Sequence, residues 1–228
     1  KSSKCWRISL KNKILVVAVH PDDETLGCGG TLLKHKANGD KIHWLICTTL
    51  NKNHDYYQNR EKEINKVSKI FNFDSVHNLQ FETTKMDQYN MNEIIEKISK
   101  VINKVKPNII YLPFKEDVHT DHKKVFEASY SCTKSFRYPF IKKIYMMETL
   151  SETEFAPSTK KDSFIPNTFV DVSKYMDKKI KIMKVYKSEI DKYPFPRSIR
   201  SIKAAASLRG STSGCNFAES FMLLKEIL

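Results

Sequence analysis

Cysteine is scarce in this chain and scattered. The 228 residues include five, Cys5, Cys28, Cys47, Cys132 and Cys215. The number is odd and no Cys-x-x-Cys pair occurs, which argues against a disulfide framework or a cysteine-built zinc knuckle. Unpaired thiols fit a reducing compartment, so a cytoplasmic location is expected. Glycine is limited to six residues, three of them at 27, 29 and 30. There is no repeat, low-complexity tract or convincing linker. No apolar run approaches the roughly 18 residues of a membrane span, so none is expected. Lys1 to Leu10 is basic but lacks the apolar segment of a signal peptide. Arginine is rare too: Arg7, Arg60, Arg137, Arg197, Arg200 and Arg209 are all there is among 39 basic residues. The net charge of +13 is therefore carried by lysines spread along the chain. A groove for nucleic acid would cluster them, so no nucleic-acid partner is expected. Attraction of an anionic substrate, such as a phosphate-bearing sugar, is the milder reading.

What is present is an alternation of two periodicities. Ile14 to Val19 is a continuous apolar run, the pattern of a parallel strand buried on both faces. Glu24 to Asn38 predicts a helix stopped by Gly39-Asp40. Strands follow at Ile42 to Thr49 and Val76 to Phe81, with a helix at Gln58 to Phe71 between them. Met91, Ile94, Ile95, Ile98, Val101, Ile102 and Val105 form one helical stripe, ended by Pro107. Asn108 to Phe114 predicts another buried strand, with a helix after His122. Short strands are expected at Ile144 to Met147 and Phe169 to Val172, and helices at Asp177 to Asp191 and Phe217 to Leu228. The polar stretch 151–165 reads as a loop. The expected fold is α/β and Rossmann-like, a mostly parallel sheet with helices on both faces. It would form a single domain over 1–228 with a C-terminal extension.

Two polar clusters fall at the carboxyl ends of buried strands, where open α/β sheets bind their ligands. The first is His20-Pro21-Asp22-Asp23-Glu24. Helix capping accounts for one of these acids. It does not account for three carboxylates and a histidine on one turn: the carboxylates repel each other unless a cation is present, and all four are good ligands for zinc. The glycines that follow are not Gly-x-Gly-x-x-Gly, so they argue for close helix packing or ligand room rather than a dinucleotide site. The second cluster is Lys115 to His122, with His119, Asp121 and His122. It supplies one metal ligand and one catalytic group, with Asp121 available to orient either histidine. A solvated, capped loop explains the second cluster alone equally well. Two such clusters at strand ends, converging in one crevice, are harder to explain that way. His35, His43, His54 and His77 are isolated.

With both segments read, the chain resembles the LmbE-like/PIG-L family of zinc-dependent N-acetylglucosaminyl deacetylases. The resemblance is carried by Ala18 to Gly30, with His-Pro-Asp-Asp-Glu after a strand, and by His119-Thr120-Asp121-His122. It extends to Arg60-Glu61-Lys62-Glu63, Arg209-Gly210 and Ala218-Glu219-Ser220-Phe221. The resemblance implies one Zn2+ per chain on His20, Asp23 and His122, with Fe2+ and other divalent ions left open. It implies Asp22 as general base. His119 would stabilise the oxyanion or protonate the leaving amine, oriented by Asp121. Arg60 and Asp87 would bind substrate, an N-acetylated sugar, sugar nucleotide or glycoconjugate that loses acetate. Glu148 to Glu154 and Tyr193 to Ser198 resemble a bacterial subgroup without an assigned role. A homo-oligomer is left open. The alternatives are a different metallohydrolase, acting on a phosphoester or amide, and a non-catalytic ligand-binding protein.

Overall fold

The computed structural model describes residues 11–159 and 161–228. The expectations for Lys1 to Leu10 and for Cys5 lie outside these residues. Seven strands and six α-helices follow in the order β1 (Lys13–Ala18), α1 (Asp23–Ala37), β2 (Lys41–Thr49), α2 (Tyr57–Phe71), β3 (Ser75–Glu82), α3 (Met91–Val105), β4 (Ile109–Leu112), α4 (Thr120–Ser131), β5 (Lys143–Met147), β6 (Thr168–Asp171), α5 (Met176–Met183), α6 (Ile199–Ser213) and β7 (Ala218–Glu226). A single 3-10 turn, Met86–Gln88, precedes α3.

One sheet contains all seven strands in the order β3-β2-β1-β4-β5-β7-β6. The first five in that order run parallel, and β7 is antiparallel to both its neighbours. Strand alternation explains how the apolar run of β1 is used. Ile14, Val16 and Ala18 face one core with α1, α2, α5 and α6. Leu15, Val17 and Val19 face a second core with α3 and α4. Helices therefore cover both faces, as the pattern predicts. The chain passes from β1 to β2 and β3 on one side, then returns to place β4 on the other side of β1. The carboxyl ends of β1 and β4 thus flank the point where strand order reverses, the usual ligand crevice of such sheets.

The C-terminal third departs from its sequence pattern. The composition of residues 217–228 predicts a helix, since Ala, Glu, Met, Leu and Lys are good helix formers. Residues 218–226 instead form β7, because pairing with β5 and β6 on both sides outweighs local propensity. The C-terminal part is therefore built into the sheet rather than appended to it. The helix expected over Asp177 to Asp191 ends at Met183. Beyond it the chain turns inward: Tyr186 donates to Glu24 at 2.8 Å and the Lys187 amide to Glu63 at 3.1 Å. The α6 helix has no counterpart in the sequence pattern. Its buried positions, Ile202, Ala206 and Gly210, include one large apolar side chain and two small residues, a stripe too weakly apolar to stand out.

Helix α1 is broken at Cys28 (φ −148°, ψ 23°), and buried side chains occupy the freed backbone groups. The Gly30 and Thr31 amides donate to the two Glu219 oxygens at 2.8 and 2.7 Å. Lys179 Nζ donates to the Leu26 carbonyl at 2.8 Å and to Glu219 at 2.7 Å. Gly30 lies so near the sheet that a Cβ there would meet Val172 at 2.6 Å. This is the close packing that the glycine cluster suggests.

Candidate active site

The first cluster is shaped by a backbone turn at the end of β1. The Val19 carbonyl accepts both the amide and the hydroxyl of Thr48, at 3.0 and 2.8 Å, which ends the strand beside β2. The His20 amide donates to Asp23 Oδ2 at 2.8 Å. Asp22 sits at φ 141°, ψ −26°, a region that disfavours any residue with a Cβ. It makes no side-chain cap to α1, so capping does not account for it. Such strain costs of order 1–3 kcal/mol and concentrates at functional sites. Glu24 is fully buried and serves the turn itself. Its carboxylate accepts from the Asp22 amide at 3.1 Å, Thr25 Oγ1 at 2.5 Å and the Tyr186 hydroxyl at 2.8 Å. Burial pushes its pKa up to about 7 against the pull of those bonds.

The second cluster comes from the β4–α4 connection. His119 is the N-cap of α4, and its Nδ1 accepts the Asp121 amide at 3.1 Å. The Asp121 carboxylate turns the other way. It accepts from the Thr84 amide at 2.7 Å, the Met86 amide at 3.2 Å and His20 Nε2 at 3.2 Å. The sequence leaves Asp121 to orient either histidine; its carboxylate holds His20, and only its amide reaches His119. His122 Nδ1 bonds Asp117 Oδ2 at 2.8 Å, and Asp117 Oδ1 accepts from Thr153 Oγ1 at 2.6 Å.

These contacts leave one ring nitrogen of His122 without a partner. Its Nε2 is buried, makes no hydrogen bond and lies 3.5 Å from Asp23 Oδ2. A buried polar atom in that state costs roughly 1–3 kcal/mol. Burial disfavours a charged ring, yet Asp23 and Asp117 outweigh it and push the His122 pKa up to about 9. The surroundings thus favour a positive charge at Nε2, whether a proton or a metal ion. Among the described residues, His20, Asp23 and His122 bring ligand atoms within 4.8 Å of one another, and so do His20, His119 and Asp121. Both oxygens of Asp121 already accept backbone amides, whereas Asp23 and His122 keep open positions. The first triad therefore fits a metal better, and Asp117 and Asp121 supply the acceptors that metal-bound histidines need. If His122 holds a metal, Asp117→Asn is expected to weaken zinc affinity by about 10- to 100-fold without unfolding the protein. Competition with a chromophoric chelator would measure it, and unchanged affinity would remove Asp117 from this role.

A cavity of about 200 Å³ opens in front of the triad, lined on one side by Thr48, Thr49 and Thr83. Asp22 lies beside it, nearly fully buried. Burial, then Asp23 and Glu189, raise its pKa well above the usual carboxylate range. His119 faces the same space, its pKa lowered by burial and by His20. Arg60 is held in the wall. Its Nη1 donates to the Pro21 carbonyl at 3.0 Å, and its Nη2 donates to Ser188 Oγ at 2.9 Å and to Glu189. Asp87 is not among the lining residues and lies exposed on the 3-10 turn. The sequence does not single out Glu152, Glu189 or Arg197, which complete the wall. Arg197 Nη2 bonds Glu189 Oε2 at 3.0 Å, and its Nη1 bonds Ser151 Oγ at 3.0 Å. These residues stand in or beside the two segments without an assigned role, 148–154 and 193–198. Elsewhere in the first segment Glu148 binds Arg209 Nε at 2.9 Å and Ser220 Oγ at 2.6 Å. Asp117 stands within the second cluster, fully buried; an acid five residues before a histidine is its only mark in the sequence.

The sequence family described as GlcNAc-PI de-N-acetylase (PIG-L) matches residues 15–133, which carry both clusters. The chain belongs to this family. A diacetylchitobiose deacetylase of Thermococcus kodakarensis is 23% identical over 218 residues, covering 91% of this chain and 81% of that protein. The conserved protein TT1542 of Thermus thermophilus superposes with a TM-score of 0.76 at 25% identity, covering 95% of this chain and 96% of that one. The 4-carboxy-2-hydroxymuconate hydratase GalB of Pseudomonas putida superposes equally well, with a TM-score of 0.75 at 14% identity over 96% and 98% of the two chains. That likeness concerns the fold alone and shows that the fold hosts more than one chemistry. The family and the curated relative are deacetylases, that is, hydrolases. Among the described residues no helix is long and apolar enough to cross a membrane.

Proposed function

We propose that this chain is a zinc-dependent N-deacetylase that removes acetate from an N-acetylated amino sugar. The observation that carries the reading is the buried, unpartnered Nε2 of His122, aimed at Asp23 beside His20. His20, Asp23 and His122 would hold one Zn2+. Three protein ligands with an open fourth position are the arrangement of a catalytic zinc site. When bound, the ion polarises the amide carbonyl and makes water a stronger acid.

The remaining chemistry belongs to the chain's own side chains. Asp22 accepts the proton of the attacking water. Water oxygen bonds to the acetamide carbon, and negative charge develops on the former carbonyl oxygen. His119 meets that oxygen with a hydrogen bond. Its Nδ1 is already occupied by the Asp121 amide, so its proton sits on Nε2 and it acts as a donor. Such donors lower the barrier by about 3–4 kcal/mol. Because His119 carries no spare proton, Asp22 returns its proton to nitrogen as the C–N bond breaks. The products are an amine and acetate. Arg60 frames the turn through the Pro21 carbonyl and so positions Asp22.

A phosphoesterase built on two metals finds less support, since the second ligand group shares His20 and uses Asp121, whose two oxygens already accept backbone amides. We place the enzyme in a reducing cytoplasm, in keeping with unpaired Cys28, Cys47, Cys132 and Cys215. The test is acetate release from N-acetylglucosamine and N,N'-diacetylchitobiose, before and after chelation. Chelation should abolish release and zinc should restore it. His122→Ala should contain less than one tenth of the wild-type zinc. A variant with full zinc content would exclude His122 as a ligand, and chelator-resistant turnover would exclude the metal.

A further inference from the structure

Among the described residues, two carboxylates in the cavity wall, those of Asp22 and Glu152, make no hydrogen bond. Asp22, Asp23, Glu152 and Glu189 line the space against only two arginines, Arg60 and Arg197. Both arginines are engaged by Glu189 and by neighbouring oxygens of the wall. Asp23 belongs to the proposed metal triad, and Asp22 is the proposed base. Glu152 alone has neither a hydrogen-bond partner nor an assigned task among the described residues.

Its backbone is nonetheless tied down on both sides. The preceding residue, Ser151, accepts from Arg197 at 3.0 Å, and the following one, Thr153, donates to Asp117 at 2.6 Å. The Glu152 carbonyl accepts from the Val118 amide at 3.2 Å, and its own amide donates to Thr149 at 3.1 Å. A carboxylate presented from an anchored turn can only accept hydrogen bonds. Hydroxyl and ammonium groups satisfy it; phosphates and carboxylates are repelled. Among the described residues the lining holds no side-chain cation outside those pairs to offset that repulsion. The lining holds four acids against two arginines, so acids are in excess there.

We infer that Glu152 is the specificity-determining residue of this cavity, accepting hydrogen bonds from hydroxyls of an uncharged amino sugar and excluding substrates with an anionic group beside the acetamide. This rests on the deacetylase reading and names its substrate class. It also replaces the expectation, drawn from the net charge of +13, that the substrate is anionic. Among the described residues the lysines lie outside the cavity lining.

The test compares zinc-loaded wild type, Glu152→Gln and Glu152→Ala on N-acetylglucosamine, N,N'-diacetylchitobiose, N-acetylglucosamine 6-phosphate and uridine diphosphate N-acetylglucosamine. Wild type should favour the two neutral sugars. Glu152→Gln should lower kcat/KM for them by about 10- to 100-fold, the range for one hydrogen bond to a charged group, mainly through KM and with full zinc content. The same substitution should leave the two anionic substrates unchanged or improved. A wild type that prefers either anionic substrate, or a Glu152→Gln variant that keeps the wild-type ratio, would overturn the inference. Calorimetric binding of N-acetylglucosamine separates this from the parent reading. Binding that weakens tenfold in Glu152→Gln supports Glu152 even where no acetate is released. Equal binding by wild type and both variants refutes Glu152 while leaving deacetylation intact.

Discussion

Asp22→Asn is expected to lower kcat by about 10²- to 10⁴-fold, the contribution of a positioned general base, with zinc content unchanged. The argument is geometric. Asp22 lines the cavity next to Asp23, yet its carboxylate caps no helix. Asn keeps the shape and removes the basic oxygen. The backbone supplies an independent check. At φ 141° a residue with a Cβ is strained, and glycine is not. Asp22→Gly should therefore be equally inactive but more stable than wild type, by about 1 kcal/mol or more. Thermal unfolding of the two variants measures this difference, and turnover with zinc analysis measures the rest. Wild-type turnover in Asp22→Asn would remove the base from the mechanism. Loss of zinc in the same variant would make Asp22 a ligand instead. An Asp22→Gly protein no more stable than wild type would mean that the turn is not strained.

The second large effect lies away from the chemistry. Lys179→Met should destabilise the fold by about 3–5 kcal/mol, the cost of leaving one member of a buried ion pair alone. For a chain of this length that is a fall in Tm of roughly 6–20 °C. Lys179 and Glu219 are both nearly fully buried and 2.7 Å apart. Glu219 also caps the second half of α1, while Lys179 closes the Leu26 carbonyl. Removing the lysine leaves a charge in a low-dielectric setting and a carbonyl without a donor. The double variant Lys179→Met/Glu219→Gln removes both charges and keeps a side-chain oxygen for one amide. It should recover a large part of the loss. A single variant with wild-type Tm would show that the pair contributes nothing beyond its packing. Because α1 starts with the proposed ligand Asp23, a loosened break at Cys28 should also weaken zinc retention.

Much of the site was legible because the information is local. An apolar run ending in His20-Pro21-Asp22-Asp23, and another ending shortly before His119 and His122, each announce a strand and a polar end. Open α/β sheets then place both clusters on one edge. The stripe from Met91 to Val105 reads directly as a helix for the same reason: its periodicity is sustained from end to end and nothing contradicts it. Glu152, Glu189 and Arg197 were not legible. They sit in irregular segments, where no period links residue number to direction. They meet only because β5 and the chain beyond α5 end near the carboxyl edge of β1.

Local pattern also misled where local and tertiary preferences differ. Residues 218–226 have helix-forming side chains, but two flanking strands offer the backbone partners on both sides. The residues after Met183 have no breaker, but Glu24, Glu63 and Arg60 draw Tyr186, Lys187 and Glu189 out of a helix. The sequence by itself therefore determined the parallel core, both strand-end clusters and their family. Only the tertiary structure decided how those residues divide their work. It turned Asp121 toward His20, left His122 Nε2 open toward Asp23, paired both arginines with Glu189 and left Glu152 free. The reason is physical: identity and periodicity are carried along the chain, whereas the occupancy of each hydrogen-bonding atom depends on neighbours that are distant in sequence and meet only after the sheet has formed.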